Sequence, residues 1–348
     1  IDHRRIIALT DQCQPDAPFC RQHPSLNMKF AKHAWIASLA LMACSAQATL
    51  PIQTFTTASG AKVYLIESQA LPMVDVQIDF DAGSRRDPPN QTGLASQVAS
   101  MTSKGLRAQG KLSALDENQL GEAWADLGAL PHASVSQDRF SLSLRTLTQP
   151  DLLEAAIALA ARQLAEPSFP EAVWQIERER WLASWRESNT KPNVQASRAF
   201  TRAVYGSHPY GQEVDEISLK AMDTEAMKAF HATHLRPCRA KVSIVGALTR
   251  EQASAKAQQL LQGLPAGVSC ELLPWVQEVQ PLAQAQRIDV PFESAQAHVF
   301  MGQPGIARLH PDFMALTVGN YVLGGGGFVS RLTEQVREKR GLSYSIYS

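Results

Sequence analysis

His231 and His234 stand three residues apart, close enough on one helical face to share a metal ion. They fall near the end of a helical pattern, and there they read as interface or core polarity rather than as ligands. Ser96 and Ser100 are four residues apart, but no base is adjacent in sequence to make either hydroxyl a nucleophile. Gly324 to Gly327 has no strand-to-helix pattern with a following Lys, so it is not a phosphate cradle. Glu177, Glu179 and Arg180 read as a charged helix face. Cys238 and Cys270 have neither CxxC nor Cys/His zinc spacing. In an oxidising compartment they could pair, and otherwise they are two independent buried thiols. Residue types and short spacings alone therefore commit the chain to no metal, nucleophilic or phosphate chemistry.

The elements that must position these residues are read from periodicity. Residues 61–67 form a strand pattern, and Val74, Val76, Ile78 and Phe80 alternate with Asp75, Gln77 and Asp79 as a half-buried strand. Thr92 can cap a helix carrying Leu94, Val98 and Met101 on one face. Leu120, Trp124 and Leu127 follow helical spacing, with Gly128 as the stop. Phe140, Leu142 and Leu144 alternate with Ser141 and Ser143 as another strand. Helical patterns cover 150–165, 170–187, 194–205 and 223–235. An apolar strand at 240–245 ends on Gly246, and Thr249 opens a helix to Leu261. Strands open the unit, helices fill it, and a strand and helix close it, which is an α+β layer arrangement.

Residues 267–283 contain Pro and little periodicity, as a linker would. The opening theme then returns: strands at 288–292 and 297–301, a turn at 302–305 and a helix at 311–323. The expected fold class is therefore α+β, with tandem homologous domains, each an antiparallel or mixed sheet with helices packed on it. The first domain is 49–266, and the second starts at 284 and is cut short at 348. About 100 further residues are needed if the two copies are equal.

Lys plus Arg and Asp plus Glu both number 33, so no basic face for phosphate contacts is implied. With 45% hydrophobic and 19% charged residues, the composition is that of a folded globular protein. The first Met is Met28. Lys29 and Lys32 precede an apolar run at 34–43, too short to cross a bilayer core of roughly 30 Å. Ala46-Gln47-Ala48 is a small-x-small cleavage site. Residues 28–48 thus read as a signal peptide, with a periplasmic mature chain from Thr49 and no integral membrane span. Cys44 in Leu41-Met42-Ala43-Cys44 is a rival lipidation site. Residues 1–27 read as translated upstream sequence. Removing 1–48 takes five basic and three acidic residues, leaving 28 against 30 and a mature charge of −2.

Gly83-Ser84-Arg85, Thr92-Gly93-Leu94-Ala95, Lys104-Gly105, Glu177-Arg178-Glu179-Arg180, His208-Pro209-Tyr210-Gly211 and His234-Leu235-Arg236-Pro237 occur in that order. Ser330-Arg331-Leu332 and the run from Val336 to Tyr344 follow. Together they resemble the insulinase/pitrilysin family of zinc peptidases, which includes mitochondrial processing peptidase. The resemblance covers roughly residues 50–348 and implies a site built on H-x-x-E-H. In that motif two His at i and i+4 bind one Zn²⁺, and the Glu takes a proton from metal-bound water. A Glu on a later helix completes the set.

Here the motif position reads Ser96-Gln97-Val98-Ala99-Ser100. Both His positions are Ser and the Glu position is Ala. The later ligand position, placed without gaps, falls on Arg186, with Glu187 beside it. Ser hydroxyls are poor zinc ligands, so no catalytic zinc is expected on this chain. The resemblance further implies that Arg337 and Tyr344, seven residues apart, donate hydrogen bonds to a substrate carbonyl as it becomes an oxyanion. It also implies that Gly325 and Gly326 lie in a flexible loop near bound peptide. The expected role is the metal-free subunit of a heteromeric endopeptidase, with zinc in a homologous partner subunit and peptide as substrate. An inert peptide-binding or scaffold homologue is the first alternative. An active metalloenzyme with atypical ligands, drawn from His208, His231 and His234, is the second.

Overall fold

The alternation at Val74 to Phe80 builds the middle of a sheet. The computed structural model describes residues 50–265, 271 and 273–348, and the expectations for residues 1–48 and for Cys270 lie outside them. The strands are β1 (Gln53–Thr56), β2 (Lys62–Glu67), β3 (Met73–Phe80), β4 (Gly105–Leu106), β5 (Leu115–Asp116), β6 (Leu130–Val135), β7 (Phe140–Leu147) and β8 (Lys241–Gly246). Six of them form one mixed sheet in the order β1-β2-β8-β3-β7-β6, while β4 and β5 pair separately. The β2–β8 pair is parallel; the other pairs of the main sheet are antiparallel.

One sheet face is apolar. Val63, Leu65, Val74, Val76, Ile78, Phe80, Leu142, Leu144, Val242 and Ile244 are all buried there, each contributing about 1.5–3 kcal/mol if fully removed from water. The alternate residues are polar and meet across strands. Asp75 and Arg145 are opposite each other in the β3–β7 register and pair at 2.6 and 2.9 Å. Ser141 and Arg139 both donate to Asp79.

The helices are α1 (Leu94–Met101), α2 (Glu117–Asp126), α3 (Pro150–Ala165), α4 (Glu171–Ser188), α5 (Pro192–Tyr205), α6 (Glu216–Ala221), α7 (Thr224–His234), α8 (Arg250–Leu261) and α9 (Phe313–Asn320). Helix α3 packs on β7 and α8 on β2, and the two helices touch each other. Helix α1 lies against β6 and α7. Capping boxes start α2 at Asp116, α6 at Asp215 and α8 at Thr249. None of the helices among the described residues is long and apolar enough to cross a membrane.

One expectation needs correction. The segments 288–292 and 297–301 form no strands, and Ile288, Val290, Phe292, Val299, Phe300 and Met301 are exposed. Period-two patterning makes a strand only when another strand accepts its N–H and C=O groups, and these segments pair with neither edge strand of the main sheet, β1 or β6. Of the expected second unit, the described residues contain helix α9 and the wide helical turns Tyr321–Gly325 and Thr333–Glu338. Of the two readings left open for the cysteines, a disulfide holds at Cys238.

Gly246 closes β8 at φ +147°, and a Cβ there would stand 2.3 Å from the Met73 carbonyl oxygen and 2.7 Å from the Val74 Cα. Gly246→Ala is therefore expected to cost about 1–3 kcal/mol by forcing β3 and β8 apart. Urea denaturation at constant m-value checks this; an unchanged midpoint would show that the contact yields without loss.

Candidate functional site

Helix α1 carries Ser96-Gln97-Val98-Ala99-Ser100, the segment where the resemblance places the metal motif. Leu94, Ala95, Gln97, Val98, Ala99 and Met101 are buried. Ser96 and Ser100 are half-buried and lie on one face, four residues apart. The helix has no cap from its own N-cap residue, Gly93. Instead Asp87 reaches across the turn: the Gly93 N–H donates to one carboxylate oxygen at 2.7 Å and the Ala95 N–H to the other at 2.8 Å. Gly93 sits at φ +100°, with the Val214 side chain 2.9 Å from where a Cβ would be, so the turn that brings Asp87 to the helix requires glycine. Thr92, the expected cap, donates its hydroxyl to the Pro89 carbonyl instead.

Asp87 is only 5% exposed. Burial pushes its pKa up to about 6, against the pull of the Ala95 and Gly93 amides.

The other end of α1 is tied by Lys104. Its ammonium donates to Glu117 at 2.7 Å and lies 3.4 Å from a Glu177 oxygen. The Glu117 carboxylate holds the lysine above its ordinary pKa, with Glu177 adding to the effect. Glu177 also accepts from Arg180 at 2.8 Å. On α4 the inward residues include Val173, Trp174, Glu177, Arg178, Leu182 and Trp185. Arg186 comes nine residues after Glu177, about half a turn round the helix. It is exposed and pairs with Glu216 on α6 at 2.6 Å, while Glu187 pairs with Lys191 in solvent. The α4 carboxylate carried to the Lys104 end of α1 is thus Glu177. Sequence reasoning passed over it as part of a charged face, although its place in the Trp174–Leu182–Trp185 stripe marks it as inward.

The three histidines of the atypical-ligand alternative have separate partners. His208 Nδ1 accepts the Tyr210 N–H, and its Nε2 lies 2.7 Å from the Gln277 carbonyl oxygen. His231 Nε2 is 2.7 Å from the Leu164 carbonyl oxygen, and burial lowers its pKa. His234 packs on Phe230 at 4.4 Å between ring centroids, and its pKa falls to about 4 through burial and then through Arg239 and Arg86. Among the described residues no group of three or more His, Cys, Asp or Glu could hold a metal ion. The donors on α1 do not fit zinc: two hydroxyls stand where imidazoles are needed, and Ala99 offers no carboxylate to accept a proton.

Arg337 and Tyr344 are brought together. The guanidinium lies 5.1 Å from the Tyr344 ring centroid and 4.9 Å from that of Phe328, and its Nε is 3.4 Å from Glu338. Tyr344 is 88% exposed. Upstream, Gly324 to Gly327 form a turn closed by Gly326 N–H to Tyr321 O and by Thr333 Oγ1 to Gly327 O. Gly325 packs beside Asn320 and Gly326 beside Tyr321. No hydrogen bond or ion pair among the described residues joins Arg337 or Tyr344 to α1.

Residues 62–216 match the domain described as Insulinase (Peptidase family M16), and residues 221–348 match the Peptidase M16 inactive domain. The crystal structure of a peptidase M16 inactive domain from Pseudomonas fluorescens superposes with a TM-score of 0.74 at 32% identity, covering 86% of this chain and 70% of that one. The chain belongs to the M16 insulinase family. Among M16 relatives, it is 27% identical over 275 residues to an uncharacterized zinc protease of Streptomyces coelicolor, covering 76% of this chain and 57% of the relative. It is 25% identical over 297 residues to the non-peptidase homolog YmxG of Helicobacter pylori, covering 82% and 65% respectively. The chain thus spans roughly three-fifths of the length of these relatives. The fold and the family make it an M16 peptidase homologue, with Ser96, Ala99 and Ser100 on helix α1.

Asp87 gives a pH test of the α1 anchor. Its folded pKa of about 6 exceeds the ordinary 3.8, so its stabilising contribution is full at low pH and is lost as pH rises through 6. Between pH 4 and pH 7 the unfolding free energy of Asp87→Asn should gain about 2–3 kcal/mol relative to the unaltered chain. Parallel denaturant titrations at both pH values measure this, and a pH-independent difference would place the carboxylate in solvent.

Proposed function

We propose that this chain is the metal-free subunit of a heteromeric M16 metalloendopeptidase in the periplasm, and that it lends Arg337 and Tyr344 to the zinc site of a homologous partner subunit. The observation that carries the reading is the division of the chemistry. Helix α1 holds Ser96, Ala99 and Ser100 in place of ligands and base, while Arg337 and Tyr344 are present and adjacent to one another, with Phe328 and Glu338 also beside the guanidinium. A phenol and a guanidinium can both donate to a carbonyl oxygen as negative charge develops on it. Neither needs to come from the chain that holds the metal. The turn at Gly325 and Gly326 would lie beside the bound peptide.

The reading of export rests on the basic and apolar pattern at 28–48 and on the disulfide at Cys238, which is chemistry of an oxidising compartment. Peptide hydrolysis by the pair, the identity of the partner and the periplasmic site all belong to this proposal.

One observation favours the inert alternative. Strand β6 is the last strand of the sheet and lies beside α1. Its outer main-chain groups are open to an added strand, the way extended peptides commonly bind to a sheet edge. A scaffold or peptide-binding homologue would need this edge and nothing from Arg337 or Tyr344.

The two readings separate on the same variants. Mixed with its zinc-bearing partner, the chain should support peptide hydrolysis, and Arg337→Ala and Tyr344→Phe should each lower kcat by about 10²–10³-fold, the range for an oxyanion donor. Peptide affinity should change far less. Full turnover in both variants would leave only the scaffold.

A further inference from the structure

The described residues between 265 and α9 have neither helix nor strand, yet the exposure of those at 273–282 repeats. Leu273, Val276, Val279 and Leu282 are half-buried, and every residue between them is exposed. A period of three matches neither the 3.6 of a helix nor the 2 of a strand. It is the period of a polyproline II chain, which turns once in three residues and leaves its carbonyls free to accept.

The carbonyls used have the same spacing. Arg239 donates to the Glu271 oxygen from Nη2 at 2.7 Å and Nε at 3.2 Å. Arg86 donates from Nη1 to the Pro274 oxygen at 2.6 Å. His208 Nε2 stands 2.7 Å from the Gln277 oxygen. Acceptors 271, 274 and 277 thus meet three donors rooted at three places in the first unit: just past β3, after α5 and just before β8. Each donor has its own anchor. Arg86 is paired with Asp81, Arg239 also donates to the Thr233 oxygen, and His208 accepts the Tyr210 amide.

The floor between these donors is aromatic. Tyr205 meets Tyr210 edge-on at 5.9 Å, and His208 meets Tyr210 at 4.7 Å. Tyr205, His208 and Arg86 line both cavities that the segment borders, of about 740 and 570 Å³. Donors reading carbonyls at every third residue across an aromatic floor are how polyproline II segments are held.

We propose that Arg86, His208 and Arg239 form a seat for a polyproline II segment, and that its occupant is this chain's own Glu271 and residues 273–282, held as a strap. Recognition runs through main-chain carbonyls and the inward stripe of Leu273, Val276, Val279 and Leu282. The outward side chains, Gln277 among them, are free to vary. The strap fixes where the chain leaves the sheet unit, and it does so independently of any role for Arg337 and Tyr344.

The test is glutamate-specific proteolysis of the full chain after Glu278, with each rate scored against a free peptide of the same 271–282 sequence. The seated strap should be cut much more slowly than its peptide. His208→Ala combined with Arg239→Ala should raise the relative rate about tenfold or more, because cleavage tracks the released population. Val276→Asn should do the same from within the strap, outside every helix and strand, so the test survives a seat variant that fails a circular-dichroism melt. Gln277→Ala should leave the rate unchanged. A strap cut as fast as its peptide, or a rate that Val276→Asn leaves unmoved or that Gln277→Ala raises equally, would overturn the proposal.

Discussion

The two amides that Asp87 accepts are what the site depends on. They hold the first turn of α1 to the loop that leaves β3, and Lys104 ties the last turn to Glu117 and Glu177. Between these anchors the helix has little freedom, because six of its eight residues are buried. Whatever the chain does at this place is set by the two side chains that remain partly open, Ser96 and Ser100. Their hydroxyls cannot hold zinc as imidazoles do. The resemblance implies a metal site at this helix, and the donors present there do not fit one.

That combination explains why the fold was largely legible in the sequence while the details of the site were not. The alternation from Val74 to Phe80 and the spacing of Leu120, Trp124 and Leu127 reflect burial on one face, which a period detects. Strand β6 escaped because Pro131 and His132 interrupt its pattern, as an edge strand tolerates. Asp87 escaped because a cap normally comes from the N-cap residue itself; here it comes from six residues before Gly93, through a glycine turn. On α4, ungapped counting lands on Arg186, half a turn from the inward stripe on which Glu177 lies.

The segments at 288–292 and 297–301 teach the converse. Their pattern is that of strands, but pairing is a property of two segments, and these two pair with no strand among the described residues. Residues 273–282 lack periodicity only when periods of 2 and 3.6 are tried; the third period, 3.0, describes them. The first unit therefore has a well-filled core of its own, and the chain leaves it along a path fixed by carbonyls rather than by sheet or helix.

The central claim is that α1 retains the place of a metal site but no longer its affinity. Zinc titration of the purified chain, followed by native mass spectrometry, tests it most directly when run beside Ser96→His combined with Ser100→His. The account predicts no stoichiometric zinc on the unaltered chain and one tightly held ion on the double variant. One equivalent of zinc on the unaltered chain, lost on Ser96→Ala with Ser100→Ala, would contradict it.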